Sequence, residues 1–155
     1  PNNGNVMAAA HQAAAACSDI IVVPTKSVPQ GVAATLAYDV EASAGDNLAR
    51  MTRAAEGVLS AELIPAARAA SLEGIHVEPG QQMVLLDGKL LGADEAGLAA
   101  LAKRVNQAGS ELLTIYYGAA ASQADAEGLA ARFPELQVEI VRGDQPHATF
   151  MLGFE

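Results

Sequence analysis

Residues 20–31, Ile20-Ile21-Val22-Val23-Pro24-Thr25-Lys26-Ser27-Val28-Pro29-Gln30-Gly31, set the strictest limit on what this chain can fold into. Four β-formers in succession, without polar alternation, suit a strand covered on both faces, as at the centre of a parallel sheet. Pro24 then stops the ladder, because proline has no N–H to donate. The loop after such a strand lies at its carboxyl end, where open α/β sheets receive ligands and partners. Pro1-Asn2-Asn3-Gly4-Asn5 has similar grammar, turn residues leading into an alanine-rich helical run to Cys17. The two loops are expected side by side.

A chain of 155 residues can bury one core or two small ones. With no Trp and only 4% aromatic residues, that core must rest on Leu, Val, Ile and Ala faces. The formal charge of −9, from 18 acidic against 9 basic residues, is spread without a block of like charge. This is the pattern of a solvated acidic surface. Phosphate backbones need a basic patch, and the scattered Lys and Arg residues offer none, so nucleic acid is a poor partner. Anionic bilayers would repel the chain, and the apolar stretch Met7 to Cys17 is too short to span one. A single cysteine makes no internal disulfide, and no charged leader with an apolar core is visible. Both point to a reducing, cytoplasmic setting.

Along the chain, a helix is predicted from Gly4 to Ala16, a strand from Ile20 to Val23 and a helix from Gln30 to Tyr38. Asp39 to Gly45 is small and polar and marks a subdomain boundary, giving a first α/β remnant at 1–40 and a second subdomain at 45–155. Asp46 is expected to cap a helix carrying Leu48, Met51, Ala55 and Val58 on one face. Ala61 to Ala70 reads as a strand weakened by Pro65, followed by a turn at 72–74 and an alternating strand at Ile75 to Glu78. Met83 to Leu86 reads as a buried strand. Asp87-Gly88 is a type I′ hairpin signal returning Leu90-Leu91 antiparallel, since both turn positions need positive φ. Asp94 is expected to cap a helix with Leu98, Leu101, Ala102 and Val105 at helical spacing. Leu112 to Tyr117 is a strand, Ser122 and Asp125 open a helix, and Val138 to Val141 and Thr149 to Phe154 close as strands. The fold class is therefore α/β.

Pro24-Thr25-Lys26-Ser27 supplies hydroxyls, an ammonium and a nearby helix N-terminus, which together can hold a carboxylate or phosphate oxygen. The same residues equally suit a Pro-stiffened turn whose hydroxyls cap the next helix. Asn2, Asn3 and Asn5 allow the same two readings. There is no Walker loop and no Gly-x-Gly-x-x-Gly after a strand. His11, His76 and His147 share no metal-ligand spacing, and Cys17 reads as a small buried apolar residue. Asp94-Glu95 and Asp125 with Glu127 fall at helix starts, where they complement the macrodipole.

The order Pro1-Asn2-Asn3-x-Asn5, Val22-Val23-Pro24-Thr25-Lys26-Ser27-Val28-Pro29-Gln30-Gly31, Leu86-Asp87-Gly88-Lys89, Leu113-Thr114-Ile115-Tyr116-Tyr117-Gly118 and Asp144-Gln145-Pro146-His147 resembles the C-terminal domain of the A subunit of bacterial fatty acid kinase. That family is related to dihydroxyacetone kinase. The resemblance implies a DegV-like module of two subdomains, the first α/β subdomain truncated, the second a mixed sheet covered by helices. It also implies docking, without catalysis by this chain, to a DegV-like fatty-acid-binding protein whose acyl carboxylate is phosphorylated. ATP and Mg²⁺ belong, on this resemblance, to the kinase domain, which lies outside this chain together with the middle domain. Candidate binding or interface residues are Asn2, Asn3, Asn5, Thr25, Lys26, Ser27, Gln30 and Gln145, with no catalytic or metal residue. The alternative is a domain that itself binds a fatty acid or small anion at Asn3, Thr25 and Lys26. Where many relatives have Gly-Gly-Gln-Pro this chain has Gly143-Asp144-Gln145-Pro146.

Overall fold

The computed structural model describes residues 4–72 and 74–155. They form two compact units, Pro1–Val58 and Leu59–Glu155, so the division falls after Val58, beyond the Asp39–Gly45 segment expected to mark it. The first unit holds helices α1 (Gly4–Ala16), α2 (Val28–Leu36) and α3 (Ala44–Glu56). Its packing centres on α2 against α3, with Ala33, Ala34, Ala55 and Val58 buried. Helix α2 begins two residues before the expected Gln30. Ser27 caps it, its Oγ accepting from the Gln30 N–H at 3.3 Å, and Pro29 sits in the first turn, where a fixed φ suits the helix. In α3 the cap is Ser43, not Asp46, which instead stands at the third helical position with its N–H donating to Ser43 Oγ. Asn47, 6% exposed, closes the preceding loop: its Oδ1 accepts from the Asp39 N–H and its Nδ2 donates to the Asp39 carbonyl, both at 2.8 Å.

Two further expectations for this unit fail. Ile20–Val23 lies in neither strand nor helix, and Ile20 and Ile21 are 44% and 51% exposed. β-propensity describes a fit to a pleated, half-buried surface, and the described residues of this unit contain no strand to pair with. Cys17 is exposed rather than buried, since α1 has no buried residue against which its end could pack.

The second unit is a six-stranded mixed sheet with α4 (Asp94–Ala108) and α5 (Gln123–Ala130) on one face, beside a small ribbon. Its strands are β1 (Leu59–Pro65), β4 (Gln82–Leu86), β5 (Lys89–Ala93), β6 (Leu112–Tyr117), β7 (Gln137–Arg142) and β8 (Phe150–Phe154), in the order β5-β4-β1-β8-β6-β7. The ribbon pairs β2 (Ala70–Leu72) with β3 (Ile75–Val77). Only β6 and β7 run parallel, with α5 in the connection between them; the other neighbours are antiparallel. The strand expected over Ala61 to Ala70 is thus two: β1 starts earlier and ends at Pro65, whose missing N–H cannot extend the ladder.

Register explains the core. Leu86, Ala61, Leu152, Ile115 and Ile140 form one row across five strands, and Val84, Leu63, Phe150 and Tyr117 another; all but the partly buried Ile140 and Tyr117, which pack against it, belong to the cluster closed by Leu101, Val105, Leu129 and Phe133. The rings of Phe133 and Phe154 meet at 5.4 Å and 59°. The hairpin turn takes the expected form, with φ of 48° at Asp87 and 79° at Gly88. Asp94 is not a cap: Ala93 holds that position, and the Asp94 carboxylate instead accepts from the Gln82 N–H at 2.8 Å and from Gln81 Nε2 at 2.9 Å. Ser122 and Asp125 make the expected reciprocal cap of α5.

Gly92 of β5 and Gly97 of α4 touch backbone to backbone. A Cβ on Gly97 would stand 2.7 Å from Val84 Cγ2 and 2.8 Å from the Gly92 carbonyl carbon. Alanine gains about 1 kcal/mol of helix propensity over glycine, but overpacking costs about 1–3 kcal/mol, so the clash wins. Gly97→Ala should therefore lower the stability of this unit in urea denaturation. Gly128→Ala, in α5 with open space around it, should be neutral or raise it.

The cap of α5 carries a pH dependence. Hydrogen bonds from the Ser122 side chain and backbone hold the Asp125 carboxyl below its ordinary value of 3.8. A hydrogen bond from Arg132 does the same for Glu95 relative to 4.5. Both carboxyls have folded values below their unfolded ones. Their contribution is complete above the unfolded values and is lost as pH falls through the folded values. Acid titration of the denaturation midpoint should show a loss beginning below about pH 4.5, and Asp125→Asn should flatten that loss.

Candidate functional site

The expected contact residues fall into separate environments. Asn2 and Asn3 lie outside the described residues, and with them the expected apposition of the first loop to the second. Asn5 is exposed on the first turn of α1. Around the start of α2, Thr25 is buried at 3% exposure and Ser27 is the cap already described. Gln30 is structural: its Oε1 accepts from the Lys26 N–H at 2.9 Å and its Nε2 donates to the Val58 carbonyl at 3.4 Å. Ser27 caps α2 through the Gln30 N–H, and the Gln30 side chain holds the backbone one residue before the cap, at Lys26.

Thr25 and Ser27 do come together, at a groove of about 480 Å³ lined also by Val28, Gly31, Val32, Thr35 and Leu36. Neither Lys26 nor Gln30 lines it. Its apolar wall was missed in the sequence, although Val28, Val32 and Leu36 recur every fourth residue, which puts them on one helix face. The groove is open, with Leu36 81% exposed.

Gln145 belongs to the second unit and is taken up by its own loop. Its Nε2 donates to the Tyr116 carbonyl at 2.9 Å, while its Oε1 is buried without a hydrogen-bond partner among the described residues. The loop sits close on β6: a Cβ on Gly118 would stand 2.3 Å from the Ala148 carbonyl oxygen. Asp144 adopts a φ of 52° and accepts from Arg142 Nε at 2.8 Å.

The carboxylates that gather were not legible as a group in the linear chain. Of the 18 acidic residues 13 lie in 59–155, against 6 of the 9 basic ones, so the negative charge is concentrated in the second unit. At one end of its sheet the backbone joins Glu111 to Glu155 (N–H to carbonyl, 2.7 Å) and Gln137 to Glu111 (2.9 Å). This sets Glu111 and Glu155 beside the start of β7, with Glu135 two residues ahead of that strand and Glu139 its third residue, all four exposed. None of these side chains has an ion-pair partner among the described residues, whereas Glu95, Asp144 and Asp39 pair with Arg132, Arg142 and Arg50. Burial first, then the charges of Glu155 and Glu139, push the Tyr116 phenol above its ordinary range. The local field is therefore negative. Among the described residues no group of three His, Cys, Asp or Glu is arranged to hold a metal ion, and no helix is long and apolar enough to cross a membrane. His76 pairs with Glu78 at 2.8 Å, and His11 is exposed on α1.

All 155 residues match the family of C-terminal domains of fatty acid kinase A-subunit-like proteins. The chain is 35% identical over 164 residues to Protein YloV of Bacillus subtilis (strain 168). It is 31% identical over 163 residues to a protein of Staphylococcus aureus (strain USA300). Each match takes in 100% of this chain and 30% of the relative, so the chain spans under a third of the length of these relatives.

The geometry around α2 separates two roles for its first turn. Ser27→Ala should cost about 1 kcal/mol of stability, the usual value for a lost N-cap. Lys26→Ala, which leaves the backbone bond to Gln30 intact, should change stability by less than about 0.5 kcal/mol. Thermal unfolding followed by circular dichroism checks both.

Proposed function

The chain belongs to the family of fatty acid kinase A-subunit-like C-terminal domains, and from that premise we propose that it is the docking module of an ATP-dependent fatty acid kinase, acting in the cytoplasm without catalysis of its own. Its partner in this reading is a basic, DegV-like fatty-acid-binding protein that presents an acyl carboxylate to the kinase and middle domains of the same larger protein. One observation carries the proposal: the unpaired, exposed carboxylates of Glu111, Glu135, Glu139 and Glu155 at a single end of the second unit's sheet. A surface of one sign speeds encounter with an opposite one and fixes register. Carboxylates without intramolecular cations remain available for a partner's Lys and Arg. In this reading ATP and Mg²⁺ belong to the rest of the kinase.

The groove beside Thr25 and Ser27 favours a second reading, a site for a fatty acid or small anion, since its lining combines Thr25, Ser27 and Thr35 with Val28, Val32 and Leu36. A long acyl chain needs a pocket that buries most of its surface. This groove is open, and docking is the stronger reading.

Binding of a DegV-like carrier should weaken as salt rises, because screening acts over about 8–10 Å near physiological ionic strength. The variant Glu111→Lys, Glu135→Lys, Glu139→Lys and Glu155→Lys should lower the association rate by about 10-fold or more while leaving the unfolding midpoint of the domain near its original value. Binding kinetics unchanged by both salt and charge reversal would refute docking through this end. Saturable binding of a fluorescent fatty acid to this chain alone would favour the groove instead.

A further inference from the structure

Both helices of the second unit, α4 and α5, pack on the face of its sheet that carries Ala61, Leu113, Ile115 and Leu152. Side chains alternate along a strand, so the same register also defines the opposite face. There Val141, Tyr116, Met151 and Glu62 stand abreast on β7, β6, β8 and β1. The next row is Glu139, Thr114, Gly153 and Ser60, and a third sets Leu112 beside Glu155.

The rows differ in height. Thr114, Gly153 and Ser60 are small and lie low, with Thr114 9% and Ser60 5% exposed. Tyr116 and Met151 stand above them on one side and Leu112 on the other, all three partly exposed, and Val141 is 40% exposed. The two flanking rows are four residues apart along the strands, about 13 Å at the usual rise. An α-helix with its side chains is about 10–12 Å across. One helix therefore fits over the low row.

Charge selects the occupant. On this face β1, β6, β7 and β8 present the carboxylates of Glu62, Glu139 and Glu155 and no Lys or Arg. After burial, Glu155 and Glu139 are the causes that raise the Tyr116 phenol, so both charges bear on this side of the sheet. A second copy would set these carboxylates against their own kind, which is destabilising. An anionic lipid surface would be repelled in the same way. An amphipathic helix whose apolar stripe is flanked by Lys and Arg meets both the apolar rows and the charge.

We propose that this face seats a cationic amphipathic helix of the docking partner, laid over Thr114 and Gly153, its apolar stripe against Tyr116, Met151 and Leu112 and its cations toward Glu62, Glu139 and Glu155. The proposal rests on the docking reading and names the element that makes the contact. Two variants, Tyr116→p-benzoylphenylalanine and Val141→p-benzoylphenylalanine, test it by photo-crosslinking in the complex with a lipid-loaded DegV-like carrier. Both should crosslink to one helical segment of the carrier that bears Lys or Arg three or four residues apart. The triple variant Tyr116→Ala, Met151→Ala and Val141→Ala changes no charge. It should raise the dissociation rate about 10-fold or more and leave the association rate within about 2-fold. Should that variant fail to fold, Val141→Ser alone, on the exposed edge strand, carries the same expectation at about 3-fold. Carrier binding with unchanged dissociation, or with crosslinks absent or confined to a loop or strand, would overturn the inference and leave docking through the charged end standing. No binding of the carrier to the unaltered chain would remove the docking reading and this inference with it.

Discussion

The second unit depends on register. Because side chains alternate along a strand, the pairing of Ala61 with both Leu86 and Leu152, and of Ile115 with both Leu152 and Ile140, puts a whole row of apolar residues on the helix-covered face. A slip of one residue would send every one of them to the other face. With about 1.5–3 kcal/mol for each large side chain removed from water, no other interaction in the unit competes. Gly92 and Gly97 serve that burial by letting α4 approach β5 until the backbones touch.

The same register places the charge. Once β6 and β7 run parallel and β8 lies antiparallel beside β6, the start of the first two and the end of the third meet, which brings the residues that carry the carboxylates onto neighbouring segments. The acidic end is thus a by-product of topology, formed by residues that lie far apart in the chain, from Glu111 to Glu155. The first unit has a different character, with Leu36, Val40 and Tyr38 exposed and few charges. One unit presents charge to its surroundings and the other presents apolar surface, so a larger assembly can contact them by different physics.

Much of the fold was legible because its signals are local. Asp87-Gly88 set the hairpin, Ser122 and Asp125 the start of α5, and the apolar runs at 112–117 and 149–154 the strands β6 and β8. The misreadings arose where a local signal needed a distant partner. Ile20–Val23 has the composition of a strand but no neighbour to pair with among the described residues, and Asp94 spends its carboxylate on β4 rather than on its own helix. Of the groove's lining, Thr25 and Ser27 stood out because proline-bounded polar loops are visible in a linear chain. The Val28, Val32 and Leu36 wall was within reach of a helical-period reading. The grouping of Glu111, Glu135, Glu139 and Glu155 was not, since only strand order brings them together.

Carboxyl footprinting of this chain, free and saturated with a lipid-carrying DegV-like protein, tests the central claim most directly. Labelling of Glu111, Glu135, Glu139 and Glu155 should fall in the complex, while Glu78 and Asp144, outside that end of the sheet, should label as before. Undiminished labelling at all four, or protection confined to Glu78 and Asp144, would contradict it.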